Sequence, residues 1–401
     1  MPLVNRSFSD IITFTRASGG GRFNAQGQYE WLAADQPRID YDPVTGEAKG
    51  LLIEEQRTNL LTYSSDFADR SWNKTNGSYV TPNVGAGLDG LLSASRWKRV
   101  ATSPSFISKA YNKAQESSAY TLTVFARKDE GDYLALRLQG NYPGRADAVF
   151  NLATGAIHGT VSAVSGFSAP SAKIESLGAI GYKISLTATS DAAPQVQCYI
   201  SFNSSGGVVD ATDTNAGSSG LLMGAQLEQA SSPSSYIPTT TAQVTRAADV
   251  ASVNVLSPWY RADEGALVIE AFSAPGTGSP ALNVGAALSG GNDYMYALLK
   301  NNSGVYRSLT VRKDGAEVVA LAHANVGFGL VKGAFSYTKD NFAGVLNAGV
   351  VLTDTSGGVP VVSSLQIGRL VGGFYWNGHI RSIRYFPKRL SNAELQSLTA
   401  N

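Results

Sequence analysis

Alternating apolar and polar residues run through much of the chain, and this pattern limits the fold more than any other feature. In residues 133–138, three leucines fall on one side of an extended strand, and Tyr133 and Arg137 fall on the other. Residues 181–187 and 196–202 repeat the alternation. Clusters of Gly, Ser, Asn and Asp separate such stretches, which is typical of antiparallel sandwiches rather than parallel sheets. We therefore predict an all-β fold.

The charge balance argues against two classes of partner. The chain has 401 residues, enough for two or three domains, with 32 basic and 31 acidic side chains. No global field exists that would attract nucleic acid or an anionic membrane.

Because no apolar run is long enough for a signal or a transmembrane helix, we expect a soluble protein with no membrane insertion. The single cysteine, Cys198, has no intramolecular partner for a disulfide.

Composition divides the chain into three segments, residues 1–60, 61–248 and 249–401. The first is dense in interleaved charges, and a piece of about 60 residues buries little of its own surface, so we expect it to pack on a neighbouring domain or a partner chain. Residues 231–245 read as an extended connector. In the last segment, Asp314-Gly315 and Asn377-Gly378 predict hairpin turns, and the spacing of Ser391 and Glu394 predicts a capping box that opens a short helix.

Several stretches of sequence resemble a known group of viral proteins. Residues 14–61, FTRASGGGRFNAQGQYEWLAADQPRIDYDPVTGEAKGLLIEEQRTNLL, resemble the opening segment of tailed-bacteriophage and prophage fibre or spike proteins. Residues 58–74 and 221–250 resemble the first and last parts of a jelly-roll carbohydrate-binding module. Residues 374–399 resemble the end of a laminin-G or concanavalin-A-like sandwich.

The resemblance implies a role as well as a fold. It implies an N-terminal segment for virion attachment or oligomerisation, then a jelly roll, then a laminin-G-like sandwich. It also implies a virion fibre or spike, on the head or the tail, that is assembled in the bacterial host cytoplasm, contacts other virion proteins and binds a host surface polysaccharide, commonly as a homotrimer.

Outward aromatic and polar side chains are the residues from which a sugar site is built. They occur at two places in the alternating strands, and Trp376 is a third candidate, for which we favour a packing role. Cross-strand pairing on a solvated or trimer-buried face is the structural alternative for each of these two places. The candidate carbohydrate-binding residues are Tyr133, Arg137, Gln197, Tyr199, Tyr294, Tyr296 and Trp376.

Enzymatic motifs are scarce, so we predict a binding protein rather than an enzyme and name no catalytic residue, metal ligand or cofactor. The alternatives are a glycan depolymerase, for which Asp129, Glu130 and Asp132 are the nearest candidates, and a fibre spacer without a ligand. Residues 210–217 place oxygen ligands at useful intervals but lack a complete calcium loop, which leaves a structural calcium as an alternative to a solvated loop.

Overall fold

The computed structural model describes residues 8–75, 78–213, 215–273, 282–301, 305–324, 329–370 and 373–400. Within these ranges the chain forms two antiparallel β-sandwiches, so the predicted all-β fold class is confirmed. Neither helix in the described ranges has the length or the apolar run that crossing a bilayer requires.

The N-terminal segment begins with a single turn of helix and continues as short strands. It contains α1 (Phe8–Ile11), β1 (Thr13–Thr15), β2 (Gly20–Phe23), β3 (Tyr29–Leu32), β4 (Ile39–Tyr41), β5 (Ala48–Ile53) and β6 (Arg57–Asn59). The next block contains β7 (Asn73–Thr75), β8 (Ser78–Ala86), β9 (Leu92–Arg99), β10 (Phe106–Asn112), β11 (Ala119–Lys128), β12 (Tyr133–Gln139), β13 (Arg145–Asn151), β14 (Ala156–Val164), β15 (Ser168–Ser176), a 3-10 turn (Gly178–Ile180), β16 (Tyr182–Thr189), β17 (Gln195–Asn203), β18 (Ser219–Glu228) and β19 (Val244–Arg246).

The remainder of the chain contains β20 (Val250–Val253), β21 (Glu264–Ser273), β22 (Leu282–Gly290), β23 (Asp293–Asn301), β24 (Tyr306–Lys313), β25 (Ala316–His323), β26 (Gly329–Thr338), β27 (Phe342–Leu346), β28 (Leu352–Asp354), β29 (Ser364–Ile367), β30 (Arg369–Leu370), β31 (Phe374–Tyr375), β32 (Gly378–Phe386) and α2 (Asn392–Leu398).

The first sandwich packs two six-stranded sheets, ordered β14-β13-β12-β17-β10-β7 and β15-β16-β11-β18-β9-β8. The predicted alternation is confirmed, because Leu134, Leu136 and Leu138 all point into its core. In β17, the same period buries Cys198 and Ile200. Since each fully buried aliphatic side chain contributes about 1.5–3 kcal/mol, one-sided strands of this kind fix the register.

The second sandwich includes strands from the start of the chain. Its two seven-stranded sheets are ordered β1-β20-β29-β22-β23-β24-β25 and β28-β27-β26-β21-β32-β5-β4. In these sheets β1 pairs with β20, and β5 pairs with β32. Ile53 at the end of β5 is fully buried in the same core. The N-terminal segment therefore buries its surface against strands that follow much later in the same chain.

A cluster of buried charges lies where the N-terminal segment, the connector and the second sandwich meet. We call it the junction cluster; it comprises Arg16, Arg38, Glu54, Arg246 and Asp249. Arg38 pairs with Glu54 at 2.7 Å and also with Asp249, and Arg16 pairs with Asp249 at 3.1 Å. Charged side chains of the first segment therefore form ion pairs with one another and with residues that follow the connector. These pairs link distant parts of the chain.

Of the three local features predicted for the last segment, two are confirmed and one is wrong. Ser391 and Glu394 bond reciprocally at the start of α2, so the capping box is confirmed. Asp314 and Gly315, with φ of 53° and 76°, join β24 to β25 as a two-residue hairpin turn, as predicted. The hairpin predicted at Asn377-Gly378 is wrong, because β31 pairs with β30 while β32 pairs with β21 and β5.

Candidate functional site

An open groove lies on the outer face of the second sandwich, where β23, β24 and β25 run side by side. Its volume is about 570 Å³. We call it the tyrosine groove; its described lining comprises Val284, Tyr294, Tyr296, Val305, Arg307, Thr310, Arg312, Gly315, Glu317, Leu370 and Phe374. Strand periodicity places Tyr294, Tyr296, Thr310 and Arg312 on this face, since the intervening Met295 and Val311 point into the core. A register irregularity between Arg307 and Leu309 explains why Arg307 joins them.

Two of the lining side chains are tyrosines that stack on each other. The ring centroids of Tyr294 and Tyr296 are 4.7 Å apart, and the ring planes differ by 23°. Their cross-strand partners on β24 are Arg312 and Thr310 respectively. Tyr296 is 7% exposed, while Tyr294 is half-buried. The sequence prediction that Tyr294 and Tyr296 share one side of a strand is confirmed by this geometry.

Charged side chains surround the rings. The guanidinium carbon of Arg312 lies 5.9 Å from the Tyr294 ring centroid, and its Nε donates to the Gly315 carbonyl at 2.9 Å. Arg307 forms an ion pair with Glu317 at 2.7 Å. Burial raises the pKa of Tyr296, and the hydroxyl of Tyr294 raises it further. The hydroxyl of Tyr296 therefore stays protonated at physiological pH.

The groove combines the features that a sugar requires. Aromatic rings accept the C–H faces of pyranose rings, while guanidinium, carboxylate and hydroxyl groups bond sugar hydroxyls. The sequence analysis missed Arg307, Thr310, Arg312, Glu317 and Phe374. The Asp314-Gly315 hairpin signal could have found two of them, because it fixes the register that places Arg312 opposite Glu317.

The other predicted site lies on the outer face of the first sandwich. Strands β12 and β17 are neighbours, and Arg137 is the cross-strand partner of Tyr199. The sequence left open whether the two strands share a sheet, and the structure shows that they do. Tyr133, Arg137, Gln197 and Tyr199 therefore lie on the same face.

This face is covered by the loop that follows β17. Arg137 is only 3% exposed and bonds Asp147 at 2.7 Å and Asp210 of the loop at 2.9 Å. The Tyr199 hydroxyl bonds Gln197 and accepts from Gln139, and the Tyr199 ring packs edge-on against Phe106 at 5.0 Å. These side chains are held by protein partners, so the tyrosine groove is the better candidate.

The remaining two candidates contact protein groups. Trp376 is 2% exposed and donates from Nε1 to the Phe272 carbonyl at 2.7 Å, which is the packing role that we favoured. Tyr133 packs on His158, with 4.8 Å between ring centroids.

The acidic side chains considered for hydrolysis each have a basic partner. Asp129 pairs with Arg96 at 2.7 Å, and Glu130 pairs with Lys98 at 3.3 Å. Asp132 pairs with Lys128. Such pairing is common for charged turns at the ends of strands and does not point to a catalytic pair.

The loop considered for calcium uses its carboxylates internally. Asp210 accepts two bonds from Arg137, and Asp213 accepts bonds from Ser204 and Ser218. Within the described ranges, no group of three or more His, Cys, Asp or Glu side chains is arranged to hold a metal ion.

Comparisons with known proteins give distant structural similarity. The chain matches no protein-family model, and no curated protein is significantly similar to it. Among solved structures, the CBM40 module of the Ruminococcus gnavus IT-sialidase is similar at 17% identity and a TM-score of 0.29, over 34% of this chain and 83% of that one.

Two further similarities extend over more of this chain. Domains LG4-5 of the mouse laminin alpha1 chain cover 85% of this chain and 92% of their own, at 10% identity and a TM-score of 0.26. A Trypanosoma rangeli sialidase bound to 2,3-difluorosialic acid covers 97% of this chain and 77% of its own, at 10% identity and a TM-score of 0.28. At these values the similarities assign neither a family nor a ligand.

Proposed function

We propose that this protein binds a cell-surface glycan through the tyrosine groove. The observation that carries the proposal is the stacked pair of Tyr294 and Tyr296 in an open groove beside Arg307, Arg312 and Glu317. Aromatic surface in a concave, partly polar site is what saccharide recognition needs. The predicted pair and the observed groove coincide, whereas the other predicted residues are held by protein partners.

We propose that the protein binds the glycan without cleaving it. Hydrolysis of a glycosidic bond usually requires two carboxyl groups that face each other across the sugar. Among the described residues that line the groove, Glu317 is the one carboxylate, and it is paired with Arg307. This arrangement favours a lectin over a depolymerase.

The biological setting that we propose is a virion fibre or spike that attaches to the host surface. This part rests on the resemblance of residues 14–61 to bacteriophage fibre and spike proteins. A single open sugar site binds weakly, and linked sites raise apparent affinity by roughly 100-fold or more, so a homotrimer would suit such a role. The exposed Trp31 and Val44 of the N-terminal segment are candidates for contacting other virion proteins.

A glycan array probed with the purified full chain and with Tyr294→Ala tests this function. We expect the unmodified chain to retain a defined set of glycans and the variant to lose them. Chromatography of a bound polysaccharide after incubation should show no shortening. Release of shorter products would replace the lectin proposal with the depolymerase, and a chain that retains no glycan would favour the spacer.

A further inference from the structure

A larger cleft separates the two sandwiches, and nothing in the proposed function uses it. Its volume is about 900 Å³, within the range of ligand sites, which frequently lie between domains. Its lining includes the N-terminal segment, the outer face of β15 and β16, and the start of β32. The serine-rich connector also contributes Ser231, Ser232, Ser234 and Ser235.

One wall of the cleft is a ladder of polar cross-strand pairs. Antiparallel pairing of β15 with β16 places Ser171 opposite Thr187, Lys173 opposite Ser185, and Glu175 opposite Lys183. The intervening residues Ile184 and Leu186 are buried in the first sandwich. The alternation therefore fills this face with hydroxyl and amino groups, as a site for a hydroxyl-rich ligand requires.

Three lysines act on one carboxylate of this wall, and one of them contacts it. Glu175 forms an ion pair with Lys173 at 2.8 Å. Burial would raise the pKa of Glu175, but the charges of Lys183, Lys173 and Lys49 outweigh burial and lower it. Lys49 comes from the N-terminal segment, and Lys183 donates to the Ser234 carbonyl at 3.0 Å. Glu175 therefore stays ionised beside these lysines.

The lining contains more basic than acidic side chains, and two of its arginines pair with acids outside it, Arg22 with Glu30 and Arg57 with Glu55. Six basic side chains face four acidic ones: Arg22, Lys49, Arg57, Lys173, Lys183 and Arg246 against Asp40, Asp42, Glu54 and Glu175. Arg246 belongs to the junction cluster, where three arginines meet two carboxylates, and its Nε has no acceptor among the described residues. Lys49, Lys173 and Lys183 then face Asp42 and Glu175, and a cleft between low-dielectric walls strengthens this surplus of one positive charge.

Aromatic surface completes the lining. Phe23 of β2 and Phe272 of β21 line the cleft and are half-buried, and Asn377 and His379 lie beside Phe272 in the same lining. His379 is held by Asp40, with 2.7 Å between its Nε2 and the carboxylate.

From the lysines, hydroxyls and rings together, we infer that the cleft is a second binding site, whose ligand is an oligosaccharide that carries carboxylate groups.

The inference is tested by titrating the full chain with a galacturonic acid hexamer and, separately, with uncharged maltohexaose. We expect saturable binding of the acidic hexamer and much weaker binding of the neutral one. The double variant Lys49→Glu/Lys173→Glu should weaken binding of the acidic hexamer by at least about 10-fold, because it reverses two charges of the cleft.

A matched control separates the cleft from overall charge. Lys339→Glu/Lys388→Glu makes the same change in net charge at exposed positions outside the cleft lining, and it should retain binding of the hexamer. Tyr294→Ala should retain it as well, which distinguishes this site from the tyrosine groove. Thermal unfolding verifies that each variant is folded. The inference is overturned if the unmodified chain does not bind the acidic hexamer, if the control loses as much affinity as the cleft variant, or if Tyr294→Ala alone abolishes binding.

Discussion

Arg38 and Asp249 form a fully buried ion pair that joins the residue before β4 to the residue before β20. The two positions are 211 residues apart in sequence. Asp249 also bonds Arg16 and accepts from the backbone amide of Glu54 at 2.9 Å. One carboxylate therefore ties together three stretches of the N-terminal segment and the entry to the second sandwich.

Replacement of Asp249 by Asn should destabilise the protein strongly. The change keeps the size of the side chain but leaves three buried arginines facing one carboxylate, and breaking buried pairs of this kind costs about 3–5 kcal/mol. Urea unfolding measures the loss. As a control, Asp263→Asn removes an exposed pair with Arg261 and should leave the unfolding free energy nearly unchanged. Equal effects of the two variants would show that the junction cluster is not a special source of stability.

Glu54 should make stability depend on acid pH. Burial would raise its pKa, but Arg246 and Arg38 lower it well below the usual 4.5. Because the folded-state pKa lies below the unfolded one, ionised Glu54 stabilises the fold above about pH 4.5, and that contribution disappears as the pH falls through the folded-state pKa. Glu54→Gln should therefore cost most at pH 7, with a smaller difference from the unmodified chain at pH 3. Urea unfolding at both values measures this, and a difference that grows towards acid would contradict the sign.

Arg137 and Arg312 should behave in opposite ways when each is replaced by Met. Arg137 is buried between Asp147 and Asp210, so its loss should reduce the unfolding free energy by about 3 kcal/mol and leave glycan binding intact. Arg312 is exposed in the tyrosine groove, so its loss should change stability by less than about 0.5 kcal/mol and weaken glycan binding. Parallel unfolding and binding measurements on both variants distinguish a structural arginine from one that contacts the ligand. Loss of binding with Arg137→Met in a fully folded protein would reopen the outer face of the first sandwich as a site.

Cys198 should be inert in the folded protein. Burial in the core of the first sandwich raises the pKa of its thiol, and the reactive thiolate is therefore scarce. Iodoacetamide at pH 8 should label Cys198 only in the presence of denaturant, as read by mass spectrometry. Rapid labelling without denaturant would mean that this core opens locally.

The sequence predicted most local features of the fold, although the hairpin at Asn377-Gly378 was wrong. Alternation identified the buried leucines of β12 and the shared side of Tyr294 and Tyr296, because a strand places every second residue on the same face. It missed the covering of Arg137 by Asp210, since that contact depends on how a loop folds back across 73 residues. It also gave no indication that β5 pairs with β32, because Leu51 and Ile380 meet only through the tertiary fold. The cleft between the sandwiches likewise arises from the tertiary fold, so no short stretch of sequence could have predicted it.

The most direct test of the proposed function is the dissociation constant for a glycan selected on the array, measured by titration calorimetry on the unmodified chain, Tyr294→Ala and Tyr79→Ala. Tyr79 lies on β8 of the first sandwich and is 61% exposed, so its replacement removes an accessible ring away from the groove. We predict that Tyr294→Ala raises the dissociation constant by roughly 10-fold or more, which corresponds to about 1.4 kcal/mol, while Tyr79→Ala leaves it unchanged. An unchanged dissociation constant for folded Tyr294→Ala would contradict binding in the tyrosine groove.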